Sequence, residues 1–124
     1  MPLAALARRW LSCFDTKDVD ELVSLYAEDA RHYSPKLRAL RPETGGCIQG
    51  RAALRDWWAD AFRRLPQLRY VEQRVTEQEG RVTAEEGRVV LEYLRLLPGE
   101  PDLPVAEVFE VRDGVIHESR VYHG

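Results

Sequence analysis

The chain has 124 residues, 44% of them hydrophobic, which is enough to bury one core but not a second. Its 18 Lys and Arg stand against 21 Asp and Glu, a net charge of −3, so no basic excess draws nucleic acid, and Arg8-Arg9 and Arg63-Arg64 sit among acids as a solvated helical face would. No apolar run approaches the roughly 20 residues that cross a bilayer, and the opening MPLAALARRW lacks a basic leader with a long apolar stretch, so the expectation is one cytoplasmic domain over 1–124 without membrane attachment.

Pro2 suits the first turn of a helix, and Leu3, Leu6, Ala7, Trp10, Leu11 and Phe14 recur on one face, predicting a first helix that runs to about Phe14. Asp18, with Glu21 three residues on, caps a second helix whose apolar stripe is Val19, Leu22, Val23 and Tyr26. A short strand, Ala30 to Ser34, ends at Pro35, and a loop with Pro42 and Gly45-Gly46 reaches Gly50, long enough to act as a lid. Helical period returns from Arg51 to Leu65, with Leu54, Trp57, Trp58, Ala61, Phe62 and Leu65 inward and Pro66 as the stop. The remainder reads as strands: Leu68 to about Ala84 with Gly80 as a bulge or turn, then Arg88 to Leu97, Val105 to Arg112 and Val115 to His123. Glu86-Gly87 and Asp113-Gly114 are the turn signals, and Pro98, Gly99, Pro101 and Pro104 form the other connection. Cys13 and Cys47 have neither metal-ligand spacing nor a setting that favours a disulfide, and read as free thiols.

Three helices followed by antiparallel strands make an α+β chain, with a pocket where the helices meet the curved sheet. With D-x-D-E-L-V-S-L-Y-A-E-D-A at Asp18 to Ala30, G-R-A-A-L-R-D-W-W opening the third helix, and the ending R-D-G-V-I-H-E-S-R-V-Y-H-G, the chain resembles the SnoaL-like group of the nuclear transport factor 2-like superfamily. The resemblance covers nearly the whole chain. It implies a cystatin-like cone, three amino-terminal helices packed on a curved, mainly antiparallel sheet. The superfamily hosts isomerases, cyclases, epoxide hydrolases, dehydratases and plain binding modules, so it implies a fold more sharply than a reaction. Set against ketosteroid isomerases, that family's aspartate base falls on Ser34, its oxyanion-hole tyrosine on Trp10, and its second, protonated oxyanion donor on Glu107. Two of three roles are changed, which argues against that activity while keeping the pocket location. SnoaL-type cyclases use a buried acid/base carboxylate, for which Glu107 is the strand carboxyl to offer. The Asp-Arg-Asp grouping of limonene-epoxide-hydrolase-like proteins cannot be assembled.

Glu107 shares a strand face with Val105, Phe109 and Val111, so its carboxyl points into apolar surroundings that would raise its pKa. Two readings stand: a proton-transferring group, or a structural ion pair with Arg120. A two-residue turn at Asp113-Gly114 would place Arg120 opposite Glu107, whereas a turn with Gly114 as a bulge would place Ser119 there and bring His123 to the same face. Arg-Asp-Gly suits the bulged form, and the resemblance puts an inward aromatic at His123. His32 shares a face with Ser34 and is either a proton shuttle or a hydrogen-bonded core histidine. His32, His117 and His123 lack metal-ligand spacing, and no cofactor is implied.

The expected site therefore has Glu107, His32 and His123 as acid/base candidates. Trp10, Ser34, Trp57, Trp58, Tyr93, Phe109, Ser119 and Arg120 would contact a small hydrophobic molecule, Trp10 as a hydrogen-bond donor to a developing oxyanion. The reaction would be an isomerisation, cyclisation or hydration; the alternative is a non-catalytic binding or dimerisation module. Tyr33 and Tyr122 point to the outer sheet face, through which the superfamily commonly dimerises, so a homodimer is expected.

Overall fold

Helix α1 (Leu3–Thr16) buries Leu3, Leu6, Ala7, Trp10, Leu11, Cys13 and Phe14, the face its periodicity predicts. The computed structural model describes residues 2–80 and 86–124. Lys17 follows α1 in the left-handed conformation, φ 56°, and its ammonium donates to the carbonyls of Phe14 and Leu68, both at 2.7 Å. That contact ties the helix end to the start of the sheet, because a lysine donates without accepting and two carbonyls satisfy it. Asp18 caps α2 (Val19–Ser24) by accepting from the Glu21 N–H at 3.0 Å.

Strand β1 (Tyr26–Tyr33) begins four residues before the expected Ala30, and Tyr26 belongs to it rather than to the helical stripe. The reason lies across the sheet: the Ile116 N–H donates to the Leu25 carbonyl at 2.8 Å and Tyr26 pairs with Ile116, so the chain becomes extended as soon as α2 ends. The expected loop from Pro35 to Gly50 is largely ordered into elements. It holds α3 (Pro35–Leu40), a 3-10 turn (Pro42–Thr44) and β2 (Cys47–Gln49), giving four α-helices among the described residues. Pro35 starts α3 instead of merely stopping β1: its locked φ suits the first helical turn, and Ser34 caps the helix by accepting from the Lys36 N–H at 3.1 Å. Helix α4 (Arg51–Arg64) buries Leu54, Trp57, Trp58 and Phe62.

The long strands are β3 (Arg69–Glu79), β4 (Gly87–Leu96), β5 (Leu103–Arg112) and β6 (Val115–His123). The expected reach of β3 to Ala84 lies outside the described residues. One six-stranded sheet results, in the order β2-β1-β6-β5-β4-β3, antiparallel at every step except the parallel pairing of β1 with β6. With the helices against its inner face, this is the α+β cone that the resemblance implies, with α3 added to the three expected helices. No helix of the described residues is long and apolar enough to cross a membrane.

The β5–β6 hairpin sets which side chains face inward. Asp113 and Gly114 have φ of 53° and 76°, and Arg112 pairs with Val115, a two-residue turn of the mirror-image kind that twists with the strands. Neither expected register holds as drawn. The turn has two residues, but an extra residue at His117 shifts the pairing, so that Phe109 faces Ser119, Glu107 faces Val121 and Val105 faces His123. Ser119 and His123 thus share the side of Glu107, while Arg120 lies on the other side with Glu110 and Glu118. Tyr122, also on that outer side, is 53% exposed.

Replacing Gly114 with Ala places a Cβ at positive φ. The expected outcome is a loss of roughly 1 kcal/mol in urea unfolding, with Asp113→Asn near neutral because asparagine tolerates that conformation.

Candidate active site

A cavity of about 320 Å³ lies between α1, α3, α4 and the inner sheet face, at the lower end of the volumes that hold small molecules. Trp10, Trp57, Trp58, Tyr70 and Tyr93 supply its aromatic wall. The rings brace one another: Tyr70 stacks on Tyr93 at 4.3 Å between centroids, and Trp10 lies 5.8 Å from Tyr93 and 5.3 Å from Phe109. Contacts of this kind hold the indole in one orientation.

Glu107 reaches the cavity from the middle of β5, with 1% of its surface exposed. The Tyr93 hydroxyl donates to Oε1 at 2.9 Å. Oε2 is the one buried side-chain polar atom among the described residues with no hydrogen-bond partner. Arg120, the expected ion-pair partner, is held instead by Glu110 at 2.8 Å and by Glu118 on the opposite side of the sheet. The ion-pair reading of Glu107 with Arg120 therefore fails on the register of the hairpin. Burial pushes the carboxyl up to about 8, and the Tyr93 hydrogen bond keeps it from rising further. Glu107 is thus a neutral acid at pH 7. Because Oε1 accepts from Tyr93, the proton sits on Oε2, where nothing in the protein receives it.

His32 is buried beside it, with Nδ1 4.0 Å from Oε2, too far for a hydrogen bond. Burial lowers its pKa to about 3, so the imidazole is neutral, and its tautomer follows from a chain of contacts. The Trp10 indole is a donor only and gives its proton to the Tyr26 hydroxyl at 3.1 Å. Tyr26 then donates to Ser119 Oγ at 3.0 Å, and the Ser119 hydroxyl has His32 Nδ1 as its remaining partner at 2.6 Å. Nδ1 is the acceptor, which leaves the proton on Nε2. His32 lines the cavity, packed on the Trp58 ring at 5.1 Å between centroids. Parallel pairing of β1 with β6 sets His32 beside Ser119, and this brings the relay together.

The other expected residues divide into three groups. Trp57, Trp58, Tyr93 and His123 line the cavity, as does Ser34, whose Oγ is already engaged in capping α3. Phe109 and Ser119 stand behind the wall, fully buried, where they support Trp10 and His32 instead of meeting a ligand. Arg120 points away altogether. Trp10 lines the cavity, but its N–H is spent on Tyr26 and is not free to act as the expected oxyanion donor. Sequence reasoning missed Tyr26, Tyr70, Lys36 and Arg95 at the site; alternation along β3 and β4 would have flagged Tyr70 and Arg95. No cluster of three or more His, Cys, Asp or Glu among the described residues is placed to hold a metal ion.

A family model for the SnoaL-like domain matches residues 7–119. The chain belongs to the SnoaL-like domain family. Solved structures agree in fold. A SnoaL-like protein of unknown function from Burkholderia thailandensis superposes with a TM-score of 0.78 at 20% identity, covering 98% of this chain and 93% of that one. A candidate ketosteroid isomerase from Kribbella flavida gives 0.72 at 21% identity, covering 97% and 76%. A candidate polyketide cyclase from Sinorhizobium meliloti gives 0.73 at 17% identity, covering 95% and 94%. Likeness at these identities establishes the SnoaL-like fold alone. No curated protein matches the chain.

Two predictions follow from the buried pair. Glu107 has its folded pKa raised from 4.5 to about 8, so its contribution to stability is present below pH 4.5 and is lost as pH rises through 8. His32 is lowered from 6.5 to about 3, so its contribution is present above pH 6.5 and is lost as pH falls through 3. Between pH 4.5 and 6.5 the two slopes oppose and cancel. His123, lowered by burial and by Lys36 and Arg95, adds a slight rise with pH there. From pH 6.5 to 8 Glu107 acts alone, and unfolding free energy should fall by about 1.4 kcal/mol per pH unit, measured by urea titration; Glu107→Gln should flatten that limb. Tyr93→Phe removes the hydrogen bond that lowers the Glu107 pKa, so the carboxyl, followed by carbon-13 NMR, should titrate at higher pH than in the parent.

Proposed function

We propose that this SnoaL-like protein is an enzyme that moves a proton at a carbonyl oxygen or at the carbon alpha to that carbonyl, as isomerases and cyclases do, in a small and largely apolar molecule. The observation that carries this reading is the unpartnered Oε2 of Glu107 on the cavity wall. A buried acid that holds its proton at neutral pH and offers it to no protein group is suited to give it to a ligand oxygen. As charge passes to the carboxylate, the Tyr93 hydroxyl already donates to Oε1. The same carboxylate then takes a proton back, so one group serves as acid and as base without leaving the site. Apolar walls exclude water and keep the pKa near the working pH.

The alternative, a binding module in which Glu107 is structural, loses its central contact because Arg120 is engaged elsewhere. The position that matches the ketosteroid isomerase base is Ser34, used as a helix cap, so proton abstraction at that point is not part of the proposal.

The test is solvent-deuterium incorporation into small enolisable probes, ethyl benzoylacetate and 2-indanone, followed by proton NMR. Exchange should be accelerated by the parent protein and slowed by about 10²–10⁴ in Glu107→Gln, with the fold retained by circular dichroism. Equal exchange in the two proteins overturns the assignment.

A further inference from the structure

The chain as a whole is acidic, at −3, yet the mouth of the cavity gathers cations. Lys36, Arg64 and Arg95 line it together with His123, against the carboxyl of Glu100 and the neutral Glu107 at depth. Sheet register shows how they stack. Tyr93, Val105 and His123 form one inward row, next to the row of Leu91, Glu107 and Val121; Arg95 and Leu103 form the row beyond. Successive inward rows are about 7 Å apart, so the basic groups begin one row from the acid and end two rows from it. Lys36 comes to the same rim from the first turn of α3, which continues β1 past its parallel partner β6.

The occupancy of these cations differs. Arg64 is bound to Asp60 at 2.7 Å. Arg95, with only 11% of its side chain exposed, holds the half-exposed carboxylate of Glu100 at 3.0 Å. Lys36 has no acidic partner among the described residues. Burial, then Lys36, then Arg95 lower the His123 pKa, so Lys36 and Arg95 each lie within electrostatic reach of that ring. A guanidinium sheltered from water and an unmatched ammonium, at the rim of an apolar cavity, make a receptor for a carboxylate, and Glu100 shows that the Arg95 end already accepts one.

We infer that the ligand of this cavity is an organic acid, its apolar body against the aromatic wall, its anionic head between Lys36 and Arg95, and its reacting oxygen one to two rows deeper at Glu107. The inference rests on the cavity being a ligand site, as proposed above, and adds the chemical class of the ligand. Glu100, on the connection after β4, is solvated enough to give way to the incoming head at small cost.

The experiment compares matched probes, 4-phenylbutyrate with 4-phenylbutanol and octanoate with 1-octanol, by calorimetric titration at low ionic strength. The acids should bind about tenfold tighter than the alcohols, and added salt should erode the difference. Lys36→Met and Arg95→Met should each remove most of that preference while leaving alcohol affinity unchanged; Lys36→Glu should reverse it. Glu107→Gln should leave the ratio as it is, which separates the head site from the acid. Acids and alcohols binding alike would overturn the inference with the pocket reading intact. Binding of none of the four probes would overturn both. A preference for acids that survives Lys36→Met and Arg95→Met together would overturn the assignment of the head site.

Discussion

A carboxyl group buried in an apolar wall without a cation keeps its proton, and the rest of this site is arranged around that fact. An ionised Glu107 would need either Arg120 or water, and the hairpin denies it both: the extra residue at His117 turns Arg120 to the far side, and the aromatic wall closes off solvent. Neutrality is then the low-energy state of the carboxyl, and Tyr93 orients it by occupying one oxygen. A single inserted residue thus decides the protonation state of a group ten positions away in the chain.

The second constraint is directional. Hydroxyls and imidazoles can each donate or accept, so a chain of them has two senses; the Trp10 indole has one. By terminating the relay, Trp10 selects the sense of Tyr26 and Ser119 and, through them, the tautomer of His32. The residue that matches a catalytic phenol in ketosteroid isomerases here commits its N–H to Tyr26 and orients its neighbours. The change from phenol to indole explains this, because an indole offers no lone pair through which to pass a proton on.

Much of the architecture was legible in the sequence because it rests on local periodicity. The faces of α1 and α4, the Asp18 cap and the ends of β6 follow from residue spacing. The segment after Ser34 was not, although its signal was present: Ser-Pro is a helix cap followed by a first-turn proline as readily as a strand stop, and the choice depends on tertiary contacts. Glu107, His32 and the wall of Trp57, Trp58 and Tyr93 were readable from alternation and helical stripes. The roles of Trp10, Ser119 and Arg120 were not, since they depend on the strand partner at β1 and on a bulge at His117 with no glycine to mark it. Phe109 illustrates the same limit: an inward facing is written in the sequence, but whether an inward side chain meets the cavity or stands behind its wall depends on its neighbours.

The parallel step between β1 and β6 has a consequence for how the molecule comes into being. His32 and Ser119 are 87 residues apart in the chain, and they meet only when the last strand docks against the first. Hairpins β3–β4, β4–β5 and β5–β6 form between sequence neighbours, whereas this edge closes a long loop and is reached late. Until then His32 has no hydroxyl to set its tautomer. The tautomer of the buried imidazole is therefore set by the final act of folding, and a partly folded chain carries an unconstrained ring where the finished protein holds one form.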